Sequence, residues 1–167
     1  MRSRLFVMMV AALVWLLDLS AKQWALTNLA GGRTVGLVGD FLVLRLTANP
    51  GAAFSMGTNV TWLFTALAGV VIVVIVITSA RVTSNAWLLG LGGLAGGAAG
   101  NLTDRLARPP SVGLGHVVDF IAAPNFPVFN VADIFITCSV VLMFIASTLN
   151  IPLSAAPPKS RRGGTHG

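Results

Sequence analysis

Five acidic residues occur in the chain, and all are aspartates: Asp18, Asp40, Asp104, Asp119 and Asp133. Their setting is apolar, with a mean hydropathy of +0.84 and charged residues at 10%. A carboxylate at bilayer depth costs about 2.5 kcal/mol or more on insertion scales, so each such residue asks for a function and a partner. Asp119, in Val-Val-Asp-Phe-Ile, and Asp133, in Phe-Asn-Val-Ala-Asp-Ile, flank a short connection into the last apolar segment. Two aspartates held close together cannot both ionise easily, and the affinity of one for its proton rises. One carboxylate can then take a proton from water while the other donates to a scissile carbonyl oxygen. The protons belong to the pair, so neither residue is assigned as base by itself.

Other chemistries are set aside on residue types. The sequence has no His-Glu-x-x-His zinc motif, no Gly-x-Ser-x-Gly elbow and no phosphate-binding glycine loop after a strand. Its single cysteine, Cys138, has no plausible histidine partner and reads as a small packing residue. His116 and His166 are far apart in sequence. Carboxylate chemistry remains, with no metal or cofactor expected. Asp133 also has a simpler explanation, because it lies three residues after Asn130, a plausible helix N-cap, and acids are favoured in a first turn. Both roles are compatible, since a cap fixes position while pairing supplies chemistry. Asp119 is harder to explain structurally, standing among Val117, Val118, Phe120 and Ile121. The rival from another class is a small proton-coupled transporter with aspartate proton carriers, but internal repeats are lacking and the acids cluster toward one face. A non-enzymatic membrane scaffold leaves the Asp119 segment unexplained.

Four segments look long enough to position these groups across a membrane: about 5–26, 60–78, 87–106 and 131–150. At about 1.5 Å per residue, ~20 helical residues cross a ~30 Å core. The expected fold class is therefore a mainly α membrane protein of four transmembrane helices. A single integral domain over 1–151 precedes a basic tail, 152–167, expected to be disordered and loosely bound to anionic lipid. An even span count puts both termini on one side, with Arg2, Arg4, Arg81, Lys159, Arg161 and Arg162. The positive-inside rule makes that side cytoplasmic, against a smaller group of Arg33, Arg45, Arg105 and Arg108 opposite. The formal charge of +6 reads as topology and lipid headgroups, with no nucleic acid partner, because the basic residues are scattered at segment ends. The first segment has signal-peptide features, but its apolar run continues past Asp18 and Lys22 to Leu26, so it is expected to stay as a helix. Asp18 and Lys22 have the i,i+4 order that favours a helical ion pair.

Between the first two spans, Phe41-Leu-Val-Leu-Arg-Leu-Thr47 places Leu42, Leu44 and Leu46 on one face of a strand, in a small extracytoplasmic sheet. Next, Asn49-Pro-Gly-Ala-Ala-Phe-Ser55 turns at Pro50-Gly51, either simply to enter the second helix or to let an extended substrate approach the small Gly51, Ala52 and Ala53. In the third segment Gly92, Gly96, Gly100 and Asp104 form one stripe, and Gly93, Gly97, Asn101 and Arg105 form its neighbour. The glycines suit close helix packing. Asn101, Asp104 and Arg105 suit either a local ion pair or a polar shell around a reaction centre.

These blocks together resemble bacterial lipoprotein signal peptidases, the signal peptidase II family. The resemblance covers about the first 150 residues. It rests on Asp18 and Lys22, Asn49-Pro-Gly-Ala-Ala-Phe-Ser55, Gly100-Asn-Leu-Thr-Asp-Arg105, Val117-Val-Asp-Phe-Ile121 and Phe129-Asn-Val-Ala-Asp-Ile134, in family order. It implies an intramembrane aspartic protease of the bacterial cytoplasmic membrane with four helices and an extracytoplasmic β-cradle. It implies cleavage of prolipoproteins before a diacylglyceryl-modified cysteine. It also implies a dyad at Asp119 and Asp133, a substrate site lined or braced by Asn49, Asn101, Asp104, Arg105 and Asn130, and a structural pair at Asp18 and Lys22. Prolipoprotein and membrane lipid are the expected partners, and a monomer the expected state.

Overall fold

The computed structural model describes residues 1–51 and 61–154. Ala52, Ala53 and the segment 155–167 lie outside the described residues. Along the chain come α1 (Arg2–Asn28), a 3-10 turn (Ala30–Gly32), β1 (Thr34–Val38), β2 (Leu42–Asn49), α2 (Thr61–Thr78), a 3-10 turn (Ser79–Arg81), α3 (Asn85–Ala107), β3 (Val117–Ala122) and α4 (Val131–Thr148). Among the described residues, three helices are long and apolar enough to cross a membrane: Arg2–Asn28, Thr61–Arg81 and Val131–Thr148. Their outward faces carry Leu13, Leu16, Val70, Val73, Ile77, Val140 and Phe144, all exposed, which is the pattern expected when lipid is the solvent. α3, with 23 residues, is long enough at about 34 Å, but glycine and a polar C-terminal end dilute its hydropathy.

α3 is the axis of the bundle and packs against α1, α2 and α4. Lipid tails are as apolar as leucine, so close backbone packing has to hold such helices together. The two glycine stripes divide that task. A Cβ built on Gly92 would lie 2.6 Å from the Val10 Cβ, and one on Gly96 2.6 Å from both the Ala11 carbonyl oxygen and the Val14 Cβ, all on α1. On the neighbouring stripe, a Cβ on Gly97 would lie 2.7 Å from the Ala132 carbonyl oxygen of α4, and Gly93 meets Ser139 of the same helix.

The sheet is antiparallel and three-stranded, in the order β1-β2-β3. The expectation of a sheet drawn from the stretch between the first two helices covers β1 and β2 only; the third strand is the Asp119 segment, arriving after α3. Leu44 is buried and Leu46 packs beside it, over Ala25, Leu29, Val118 and Phe120, so the leucine face of β2 closes the top of the bundle. The β2–β3 register is irregular between Leu44, opposite Ile121, and Thr47, opposite Asp119. Two residues of β2 there face one of β3, a bulge that resets which side chains share a face.

Candidate active site

The bulge places Asp119 opposite Thr47, and Asn49 opposite Val117. Residues two apart share a strand face, so Asn49 and Asp119 project from the same side of the sheet. Asn49 Nδ2 donates to Asp119 Oδ2 at 2.8 Å, while its Oδ1 accepts the Gly51 amide at 3.0 Å. The chain beyond β3 folds straight back. Phe129 exchanges backbone hydrogen bonds with Ile121, its N–H donating at 2.9 Å and its carbonyl accepting at 2.8 Å. This return sets Asn130 beside Asp119, and Asn130 Nδ2 donates to Asp119 Oδ1 at 2.6 Å.

Asn130 is also the N-cap of α4, in a full capping box with Asp133. The Asp133 amide donates to Asn130 Oδ1 at 3.0 Å, and the Asn130 amide donates to Asp133 Oδ2 at 3.2 Å. Such a box satisfies two otherwise orphaned N–H groups of the first turn. The capping explanation for Asp133 is correct, and it does not compete with a place in the site. Its remaining oxygen, Oδ1, accepts from Asn101 Nδ2 at 2.8 Å. All four carboxylate oxygens of Asp119 and Asp133 therefore hold at least one donor, from Asn49, Asn130 and Asn101.

Asp119 is 2% exposed. Burial pushes its carboxyl up to about 6; the Asp133 charge adds to the rise, and the Asn49 and Asn130 donors and the Lys22 charge hold it back. Both aspartates open onto one groove of about 650 Å³ between α2, α3 and α4, which Asn49, Gly51, Asn101 and Arg105 also line. Arg105 Nη2 donates to the Gly51 carbonyl oxygen at 2.9 Å, and its guanidinium carbon stands 5.7 Å from the centre of the Phe64 ring. Its Nη1 is buried with no partner among the described residues. The groove continues downward over Phe64, Leu67, Ala68 and Val71 of α2 and Leu94 and Ala98 of α3. A polar head with an apolar trough suits a chain that is extended at the carboxylates and apolar beyond them.

Asp18, Lys22 and Asp104 lie behind the groove. Lys22 Nζ is 2.7 Å from Asp18 Oδ2 and 2.8 Å from Asp104 Oδ2, and Lys22 and Asp18 are fully buried. Asp104 also pairs with Arg108 on its own helix. The local ion pair and the polar shell thus both exist, on adjacent turns of α3. Sequence reasoning missed the tie between Lys22 and Asp104, since nothing local marks a contact between two helices. It also missed the trough residues of α2, although Phe64, Leu67, Ala68 and Val71 have the spacing of one helical face. Ala52, expected beside the substrate, lies outside the described residues.

The signal peptidase II family model matches residues 10–149. A lipoprotein signal peptidase of Rhodococcus jostii (strain RHA1) is 44% identical over 160 residues, covering 96% of this chain and 79% of that protein. Another, from Mycobacterium leprae (strain Br4923), is 43% identical over 138 residues, covering 83% and 69%. Among solved structures, a bacterial membrane enzyme determined by the in meso method at 2.3 Å resolution matches with a TM-score of 0.76 at 25% identity, over 90% of this chain and 94% of that one. A second bacterial membrane enzyme, determined at 1.9 Å, matches with a TM-score of 0.73 at 26% identity, over 84% and 91%.

Proposed function

The chain belongs to the signal peptidase II family, and on that premise we propose that it removes signal peptides from diacylglyceryl-modified prolipoproteins, with Asp119 and Asp133 as its paired carboxylates. Cleavage falls before the lipidated cysteine. The observation that carries the reading is the convergence of two aspartates from different elements on one groove, every oxygen held by an amide donor. Donors on Asp119 favour its charged form, while burial favours a retained proton. A pair holding one proton is the balance a hydrolytic dyad needs. The ionised member takes a proton from the attacking water, and the protonated member donates to the scissile carbonyl oxygen. Arg105 Nη1 offers a further donor to a substrate carbonyl. The apolar trough beneath is suited to the signal segment. Nothing comparable supports a proton-coupled transporter.

Incubating the purified protein with a diacylglyceryl-modified prolipoprotein should release the signal peptide, read as a mass shift. An unlipidated precursor cut at the same rate would remove the substrate assignment. The pH dependence follows from Asp119. With its carboxyl pushed up to about 6 in the free enzyme, raising the pH through that value strips the proton from Asp119 and removes the proton donor. kcat/KM should therefore fall on the alkaline side with an apparent pKa near 6, belonging to the pair. The limb in kcat should lie higher, because bound substrate excludes water from the site. A kcat/KM flat from about pH 5 to 8 would contradict this.

The same reading makes α3 the fourth span, shielded from lipid by its neighbours, in a single integral domain over 1–151 with a basic tail, 152–167. Both termini then face the cytoplasm, and the dyad lies at the extracytoplasmic face of the bacterial cytoplasmic membrane. The protein acts as a monomer with prolipoprotein and membrane lipid as its partners. The support is the even span count and the basic residues Arg2, Arg4, Arg81, Lys159, Arg161 and Arg162. In a Cys138→Ala background, cysteines placed at Ser160 and at Thr34 should label from opposite sides of sealed vesicles. Labelling of both from one side would reverse the topology.

A further inference from the structure

We propose that Lys22 is a positioning residue of the cleavage reaction, holding both dyad aspartates in place through Asp18, Asp104 and Asn101. The inference rests on the dyad reading above. An ammonium has three N–H donors and no acceptor. Lys22 Nζ donates to Asn101 Oδ1 at 2.9 Å and forms ion pairs with Asp18 Oδ2 at 2.7 Å and Asp104 Oδ2 at 2.8 Å. Each of these partners reaches the dyad. Asp18 Oδ1 accepts the Ala132 amide at 2.8 Å, one residue before Asp133. Asp104 Oδ2 accepts the Val118 amide at 3.1 Å, one residue before Asp119. Thus one cation on α1 fixes the backbone just ahead of both aspartates, on α4 and on β3.

The third arm sets the direction of a side chain. An amide has an oxygen end and an NH₂ end, and only the oxygen can face an ammonium. Lys22 therefore holds Asn101 Oδ1, which also accepts from Asn130 Nδ2 at 3.1 Å, and so turns Asn101 Nδ2 onto Asp133 Oδ1 at 2.8 Å. Without Lys22 that orientation is held only by the Asn130 donor and by Asp133 itself. The charged groups around the dyad are Asp18 and Lys22 from α1 and Asp104 and Arg105 from α3, with Arg108 beyond Asp104. Arg45 of β2 is exposed, and α2 has no charged residue.

The test separates positioning from support of the fold. Lys22→Met alone strands two buried carboxylates and is expected to misfold. Asp18→Asn combined with Lys22→Met keeps the charge balanced, because an asparagine in place of Asp18 can still accept the Ala132 amide and Asp104 keeps Arg108 and Val118. Asn101→Ala leaves the Lys22 ion pairs intact and removes the third arm together with its donor to Asp133, so it tests whether that arm matters even if the double variant fails to fold. Each folded variant should bind the lipidated precursor with KM within about threefold of the parent and turn it over about a hundredfold more slowly, the scale of a small misplacement of reacting groups. The alkaline limb of kcat/KM should move to higher pH, because a donor lost from a carboxylate disfavours its charged form. Combining the three changes should lose little more than either alone. Parental kcat and pH profile in Asn101→Ala would overturn the proposal. So would a parallel change in kcat and KM with an unmoved limb, which would make the cluster a support of the groove. Failure of the dyad reading is distinguished by the aspartate variants themselves, which would then retain activity whatever Lys22 does.

Discussion

Asp119→Asn and Asp133→Asn are each expected to slow precursor cleavage by about 10³-fold or more, the scale of lost general acid–base catalysis in a coupled pair. Asparagine keeps the shape of aspartate but cannot accept the proton of the attacking water or share one with a partner. The cost to the fold should be smaller than the cost to the rate. Both oxygens of Asp119 accept from amide nitrogens, so the variant sets one NH₂ against another, at about 1–3 kcal/mol for a mispaired buried group. Binding of the lipidated precursor should survive, and a pull-down measures it alongside the rate. The double variant should be little slower than either single one, because the carboxylates act as a unit. Asp40 supplies the control. It is exposed at the turn between β1 and β2, outside the groove, and Asp40→Asn should be nearly silent. Cleavage at near the parental rate by either dyad variant would end the aspartic-protease assignment.

Gly96→Leu is expected to abolish folding, with the chemistry lost only as a consequence. A Cβ there meets the Ala11 carbonyl oxygen and the Val14 Cβ at 2.6 Å each, and the Ala11 Cα at 3.0 Å. The first obstacle is backbone, which no rotamer change relieves, so α1 must move away from α3. That movement would pull Lys22 from Asp104 and Asn101 as well. Overpacking of this kind costs about 1–3 kcal/mol and more where the backbone has to shift. Gly69 on α2 is the matched comparison. A Cβ built there meets nothing within 4 Å, so Gly69→Leu should be tolerated. Size-exclusion profiles and melting in detergent separate the two. A monodisperse, fully active Gly96→Leu protein would mean that the stripe faces lipid.

Much of this molecule could be read from residue spacing. The apolar runs give α1, α2 and α4 because length and hydropathy are local properties. The glycine stripes mark α3 as a packing axis, and the structure divides them, one for α1 and one for α4. Asp18 with Lys22, and Asn130 with Asp133, are legible because both partners of each pair lie on one helix, four and three residues apart. What sequence spacing left open depended on contacts between segments far apart in the chain. The third strand of the sheet, the bulge that turns Asp119 onto the face of Asn49, and the fold-back that brings Asn130 to Asp119 follow from pairing of β2, β3 and Phe129. Strand faces invert with a shift of one residue, so no local pattern fixes which way Asp119 points. The tie from Lys22 to Asp104 and Asn101 is likewise decided only when α1 packs on α3. The chain determined by itself which chemistry was available, because residue types set that. Tertiary packing alone decided which carboxylates share one groove and which amide ends they face, because a buried charge is tolerable only where partners from several elements converge on it.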